Sequence, residues 1–250
     1  MTNAKDSDLA QALVRLQNAR ITGADPQIPY AVNIPNAHYA PWFGDELFMT
    51  IHAEISQFTL LDIYRCYEIW DLCRQTAHVP GEAIEIGVWR GGSAALIGAA
   101  FIAAGQFKTV HACDTFHGVV KTGAMDRTFR GGEHGDTSPE IVAEALRKAG
   151  APNVEIHAGI FPDDFLGLFE KSVFSYAHID VDAHDSARDS FEFLWPRLST
   201  GGIVVFDDYG FIGCEGVTRF VDSLRGRSSS RLVLHNLNGH AVVIKTGAAD

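Results

Sequence analysis

Apolar and polar positions alternate between two kinds of pattern along this chain. Short apolar runs bounded by turn residues read as buried strands, and longer stretches with apolar positions three and four apart read as helices. The runs at 83–88 (AIEIGV), 109–114 (TVHACD), 153–159 (NVEIHAG), 174–179 (FSYAHI) and 203–206 (IVVF) are the strand candidates. The helical stretches between them lie at about 94–105 and 139–148, and between residues 182 and 200. Strands joined by single helices make parallel βαβ units. The last segment, LVLHNLNGHAVVIK, has two apolar runs flanking Asn238-Gly239, so a closing antiparallel hairpin is expected on an otherwise parallel sheet. Before the first strand, residues 45–75 read as helical, with core and interface residues. Residues 25–45, with Pro26, Pro29, Pro35 and Pro41, read as an irregular arm. Leu9, Leu13, Val14 and Leu16 form an apolar stripe within the first 24 residues that needs a partner surface, either in this chain or in a second copy.

This pattern decides where chemistry collects. In open parallel sheets, ligands bind at the carboxyl ends of the strands. The strand at 174–179 runs into Asp180-Val181-Asp182, and the strand at 203–206 runs into Asp207-Asp208. Two readings fit these carboxylates. A hard divalent cation with oxygen ligands, Mg²⁺ first, would hold Asp180, Asp207 and Asp208 together. Alternatively, Asp180 and Asp182 cap the next helix and Asp207-Asp208 open a turn; Gly201-Gly202 read as the turn before the strand at 203–206. At the same edge, the first strand leads into Gly87, Gly91 and Gly92, with Ser93 placed to start a helix. The spacing is G-x-x-x-G-G, not the dinucleotide G-x-G-x-x-G. Such a turn admits close approach of a ligand, and a helix N-terminus favours a carboxylate or phosphate. Asp114 ends the second strand, the position that holds a ribose diol in nucleotide-binding βαβ units. Residues 117–140 form a long polar, glycine-rich loop of the kind that serves as a lid. It carries Lys121, Arg127, Arg130, Glu133, His134 and Asp136.

Composition narrows the class. The 250 residues, 46% hydrophobic and 20% charged, fit one globular α/β domain with an N-terminal appendage. A net charge of −11 argues against nucleic acid and anionic membrane surfaces as partners. The four cysteines form no CxxC pair and no zinc pattern, so reduced thiols in a cytoplasmic protein are expected. The first 20 residues lack the apolar core of a secretory signal, and the longest apolar run, 94–105, is too short to span a bilayer.

Taken in order, EIGVWRGGS (85–93), DTF (114–116), GGEH (131–134), GIFPDD (159–164), HIDVDAHDS (178–186) and GGIVVFDDYG (201–210) resemble the class I S-adenosylmethionine-dependent methyltransferases. More specifically, they resemble the macrocin O-methyltransferase (TylF-type) family, which methylates sugar hydroxyls. The resemblance covers roughly residues 40–245. It implies an α/β Rossmann-like class I methyltransferase fold, with a seven-stranded mostly parallel sheet, a C-terminal antiparallel hairpin and helices on both faces. It also implies Mg²⁺ on Asp180, Asp207 and Asp208. Where the family commonly has tyrosine this chain has His184, which leaves that position's role open.

On this reading residues 1–80 are an N-terminal arm and helical cap serving oligomerisation and the substrate side. Residues 81–250 are the methyltransferase domain, with its lid at 117–140. S-adenosylmethionine would lie over Gly87, Gly91 and Ser93. Glu85 would hold its amino group, Asp114 its ribose, and Asp163 would stand near the adenine. Either Asp180 or His134 would take the hydroxyl proton. Lys121, Arg127 and Arg130 either bind a charged acceptor or keep the lid solvated. The expected acceptor is a sugar-containing small molecule or oligosaccharide, and the expected assembly a dimer-based homo-oligomer. A catechol or phenol O-methyltransferase and a nicotinamide-dependent oxidoreductase are the alternatives.

Overall fold

The structure is a computed structural model that describes residues 4–17, 19–22, 24–34, 37–226 and 228–247. Its contacts divide the chain into residues 1–41 and 42–250. In the first unit, helix α1 spans Ala4–Leu16. An antiparallel bridge between Arg20 and Ala31 then closes a small loop.

The second unit is built on a seven-stranded sheet. Its strands are β1 (Glu82–Ile86), β2 (Val110–Asp114), β3 (Val154–Ala158), β4 (Phe174–Ile179), β5 (Leu198–Phe206), β6 (Arg231–His235) and β7 (Ala241–Lys245). The order is β3-β2-β1-β4-β5-β7-β6. Strands β1 to β5 pair in parallel, and β7 joins β5 antiparallel with β6 outside it. The expected closing hairpin is therefore present, with Gly239 at φ +94° in its connection. Its outward face and the half-exposed β3 mark the two sheet edges.

Alternation along the strands sends neighbouring residues to opposite faces. Ala83, Val110, Ala112, Tyr176 and Val205 pack into one core with α2 (Glu46–Ile55), α3 (Ile63–Gln75), α4 (Gly92–Ala103) and α5 (Pro139–Ala149). Ile84, Ile86, Ala177, Ile179 and Phe206 pack into the other with α6 (His184–Leu194) and α7 (Glu215–Leu224). Helix α4 is buried nearly all round, as its run of Ala, Leu, Ile and Phe requires. Helix α5 is amphipathic, with Val142, Ala145, Leu146 and Ala149 inward; Ser138 caps it, Pro139 opens it, and Gly150 ends it in the left-handed region.

Two local expectations need correction. Residues 45–75 are not helical throughout but form two helices. The chain is extended at Thr59, and a new helix starts where Asp62 accepts from the Tyr64 and Arg65 amides. A side chain that caps well competes with the continuing helix, and here it wins. Gly201-Gly202 lie within the span of β5, where the pairing with β4 slips in register. Among the described residues, no helix is long and apolar enough to cross a membrane, and all four cysteines are free and buried.

Candidate active site

The loops leaving β1, β2, β4 and β5 meet over the carboxyl edge of the sheet and enclose a cavity of about 330 Å³, large enough for a small-molecule ligand. Gly87, Val88, Trp89 and Ser93 form one wall, and Asp180, Asp182, Asp207 and Asp208 another. Residues 58–61 between α2 and α3 close one side, together with Arg65 from α3, and the loop after β2 covers the top with Phe129 and His134.

Gly87 shows why the first loop needs glycine. Its φ is +81°, and a Cβ there would lie 1.7 Å from the carbonyl oxygen of Asp180. The β1 loop thus rests directly on the β4 loop that carries the carboxylates. Gly91 serves the fold instead. It is the left-handed N-cap of α4, and its missing Cβ makes room for Val142 rather than for a ligand. Ser93 is therefore in the first turn of α4 rather than its cap, and it reaches the cavity wall.

Asp114 ties the same loop down. Its Oδ2 accepts from the Val88 and Trp89 amides at 2.9 Å, and its Oδ1 from the Phe116 amide at 2.7 Å. Burial outweighs these bonds and leaves its carboxyl above the usual range. Two amides expected to face a ligand carboxylate are thus engaged by Asp114. The Thr115 amide also bonds to this carboxylate, so the surrounding backbone engages it on both oxygens.

Ligand oxygens of Asp180, Asp207 and Asp208 lie within 4.8 Å of one another. The capping alternative fails for α6: its N-cap is Ala183 with no side-chain bond, and the His184 amide donates instead to Asp126 Oδ1 on the lid, at 2.9 Å. Burial and the charges of Asp207, Asp208 and Asp182 push Asp180 well above the carboxylate range. Burial, Asp207 and Asp182 do the same to Asp208, against an opposing pull from Arg65. Asp208 Oδ2 is buried without a hydrogen-bond partner. Such a set of oxygen donors, mutually repelling and one of them unsatisfied, fits a hard divalent cation.

Asp207 is different. Arg65 Nη1 donates to both its oxygens at 2.8 Å, and His240 Nε2 stands 3.4 Å from Oδ1. Burial would raise its pKa, but His240, Arg65 and His178 outweigh that and hold Asp207 well below the usual range. Behind it, His240 Nδ1 lies 2.6 Å from Glu68. Arg65 was not singled out from the sequence. The available signal was a cation inside the buried stripe of α3, beside Cys66, Ile69, Trp70 and Cys73.

His134 sits on the lid wall, 41% exposed, with Nε2 4.0 Å from Asp182 Oδ2. Burial drives Asp182 up to about 6, against the pull of His134. Trp89, His134, Asp182 and Asp208 are all non-glycine residues with positive φ. Strain of that kind gathers at sites where the surrounding structure over-determines the backbone.

Besides Gly91, two expected site residues do not reach the cavity. Glu85 is fully buried in the sheet, with Oε1 2.7 Å from His178 Nδ1, because its position on β1 turns it into the core. Asp163 is exposed on the turn after β3 and pairs with Lys121 at 2.8 Å; that lysine also holds Asp189 and the Phe161 carbonyl. Lys121 therefore anchors the lid. Residues 117–138 form an ordered cover without helix or strand, pinned further by Trp89 Nε1 and Arg90 on Asp136.

A family model described as Macrocin-O-methyltransferase (TylF) matches residues 64–245. The 8-demethyl-8-(2,3-dimethoxy-alpha-L-rhamnosyl)-tetracenomycin-C 4'-O-methyltransferase of Streptomyces olivaceus is 33% identical over 187 residues, 69% of this chain and 68% of that protein. The solved structure of the O-methyltransferase NovP superposes with a TM-score of 0.64 at 19% identity, covering 82% of this chain and 99% of that one. The O-methyltransferase TomG from Streptomyces achromogenes, solved in complex with SAM, gives 0.52 at 19% identity over 81% and 91%. These two structural likenesses are of fold.

Proposed function

The chain belongs to the macrocin O-methyltransferase (TylF) family, and from that membership we propose that it moves the methyl group of S-adenosylmethionine to a hydroxyl of a sugar-bearing acceptor, with Mg²⁺ held by Asp180, Asp207 and Asp208. Membership makes it an S-adenosylmethionine-dependent O-methyltransferase and sets aside the nicotinamide alternative. The observation that carries the metal and acceptor reading is the convergence of three carboxylates within 4.8 Å at the wall of the same cavity that the Gly87 loop lines. The rhamnosyl tetracenomycin named for the Streptomyces olivaceus relative supports a sugar hydroxyl as acceptor.

Bound S-adenosylmethionine supplies an electrophilic methyl group on sulfur. A bound divalent cation lowers the pKa of a coordinated hydroxyl and fixes its direction. The remaining work falls to the protein. The Gly87–Trp89 turn and Ser93 at the α4 N-terminus offer the cofactor a backbone surface. Asp114, at the cavity wall, faces the cofactor's ribose. His134 accepts the hydroxyl proton, since it stands at the cavity wall, is partly exposed, and has Asp182 beside it to stabilise its charged form. Asp180 then serves as metal ligand. The lid, anchored by Lys121 and Asp136, excludes water from the reacting atoms. Residues 58–61 at the cavity support an acceptor-side role for the first 80 residues. The exposed Leu9 and Val14 on α1 support association of copies into a dimer-based oligomer, which light scattering tests.

A panel of mono- and oligosaccharides assayed for methyl transfer with Mg²⁺ and with a chelator tests this function. Activity on a sugar that the chelator abolishes is expected. Phe129, Phe211 and Ile212 at the cavity favour a second reading, a flat phenolic acceptor, so a catechol belongs in the panel. Turnover of the catechol alone would replace the sugar reading, and full activity in chelator would remove the metal.

A further inference from the structure

A second cluster of ligating side chains lies on the outer strands of the sheet. His111 on β2 and Glu155 on β3 are register partners, and His157 follows Glu155 by two residues. All three side chains therefore leave the same face of the sheet. Their ligand atoms lie within 4.8 Å of one another. His111 Nδ1 is 3.0 Å from His157 Nε2, and each is 3.9 Å from Glu155 Oε2. None of the three lines the active-site cavity, and His111 precedes Asp114 by about 10 Å of strand.

From this geometry we propose that His111 Nδ1, His157 Nε2 and the Glu155 carboxylate form a second site, for a transition-metal dication of the Zn²⁺ class, with water in the fourth position. This second site is independent of the function proposed above.

Three features support it. The first is the tautomer of His111. Its Nε2 lies 3.1 Å from Glu82 Oε2. Glu82 accepts only, so Nε2 carries the hydrogen and Nδ1 accepts from His157 Nε2; a metal takes up that lone pair once His157 carries its hydrogen on Nδ1. A carboxylate that orients a histidine in this way is the outer-shell arrangement found behind metal-bound imidazoles. The second is spacing. Two nitrogens on one tetrahedral Zn²⁺ stand about 3.3 Å apart. The two imidazoles need only a few tenths of an ångström of opening, and the exposed Glu155 side chain supplies the larger adjustment. The third is access. The cluster of His178, Asp207 and His240 also has three ligating side chains, but it is wholly buried and closed by Arg65 and Glu68. The outer cluster opens to solvent through Glu155, whose side chain is 61% exposed. Two imidazoles and one carboxylate select Zn²⁺, Co²⁺ or Ni²⁺ over Mg²⁺. Bound metal would clip the edge strand β3 to β2, beside the Phe165 and Phe169 rings that pack on His157.

The test uses the untagged full chain carrying Asp180→Asn and Asp208→Asn, which disables the active-site carboxylates and the neighbouring cluster with Cys214. Zn²⁺ is titrated calorimetrically, and Co²⁺ is followed by its visible absorption. One equivalent of Zn²⁺ that millimolar Mg²⁺ does not displace is expected. His157→Gln and Glu155→Ala should each weaken it at least about 10-fold, and Glu82→Gln by about 10-fold through His111. Circular dichroism checks folding of each variant. Should the double background fold poorly, Glu155→Ala in the otherwise native chain gives the same reading as the loss of one of its Zn²⁺ equivalents, because an exposed glutamate does not support the fold. Absence of a stoichiometric site, or equal affinity in all three variants, overturns the proposal.

Discussion

Replacing Gly87 with alanine tests how the glycine loop supports the carboxylates. Two costs separate cleanly if Gly105→Ala is made alongside. Both glycines have positive φ, +81° and +76°, but a Cβ at Gly105 meets nothing within 4 Å, whereas at Gly87 it meets the Asp180 carbonyl oxygen at 1.7 Å. The shared term is the left-handed backbone, roughly 1–2 kcal/mol for a residue with a Cβ. Gly87→Ala adds overpacking against backbone atoms that have no rotamer to escape through, roughly 1–3 kcal/mol. At about 2–4 °C per kcal/mol for a chain of this size, Gly105→Ala should lower Tm by about 2–8 °C and Gly87→Ala by about 4–20 °C. The contact relaxes only if the Asp180 backbone moves by about an ångström, a displacement that costs on the order of 10²-fold in turnover when it misplaces reacting groups. Gly105→Ala should leave turnover unchanged. Thermal unfolding and a methyl-transfer assay on the two variants read both effects. A Gly87→Ala protein that melts with Gly105→Ala and keeps wild-type kcat would refute the argument that this loop positions Asp180.

Arg65→Met should leave Asp207 buried without its cation and cost about 3–5 kcal/mol, since breaking a buried pair strands one charge; a urea unfolding series measures it. His134→Gln should lower kcat by roughly 10²–10⁴-fold with little change in KM, the signature of a lost proton acceptor, read in a steady-state methyl-transfer assay. Asp62 predicts an acid dependence. Burial would raise its carboxyl, but the Arg65 amide and guanidinium and Asn238 outweigh that and hold it below 3.8. A depressed folded pKa means its contribution is present above 3.8 and lost as pH falls through the folded value. Asp62→Asn keeps the cap, loses the charge, and should show a shallower loss of urea midpoint below about pH 4, with the difference shrinking at high salt because the group is half-exposed.

Much of this was legible because hydrophobic runs report burial directly. The five parallel strands, the Asn238-Gly239 hairpin, and the placement of Asp114, Asp180, Asp207 and Asp208 at one edge follow from run length and turn chemistry. The failures share a cause: they concern where a side chain points once the strands twist and the loops pack. Glu85 precedes the glycine turn by two residues, yet alternation turns it into the core against His178. Asp163 stands at the expected strand end, but Lys121 holds it at the surface, a pairing across 42 residues that no local pattern reports. Arg65 was hidden in an apolar helix, because its partner Asp207 is 142 residues away. The break at Asp62 was missed because residues 56–61 carry no Gly or Pro.

The same long-range pairing explains how four aspartates coexist at one edge. Arg65 and His240 neutralise Asp207 from behind, through a chain that runs to Glu68 on α3. That side of the site is buried. On the cavity side no cation among the described residues bonds to Asp180 or Asp208, and burial with repulsion from neighbouring carboxylates raises both, against Arg65's pull on Asp208. A divalent cation would relieve that repulsion. The protein has thus stabilised one carboxylate permanently and left its neighbours unsatisfied toward the cavity. Full neutralisation from within would leave no electrostatic drive for a cation to enter. Without Arg65, Asp207 would add a further buried charge to the repulsion that the fold already carries. Helix α3 therefore belongs to the site as much as the strands do. Its neighbour α2 packs with it in the same core as the sheet.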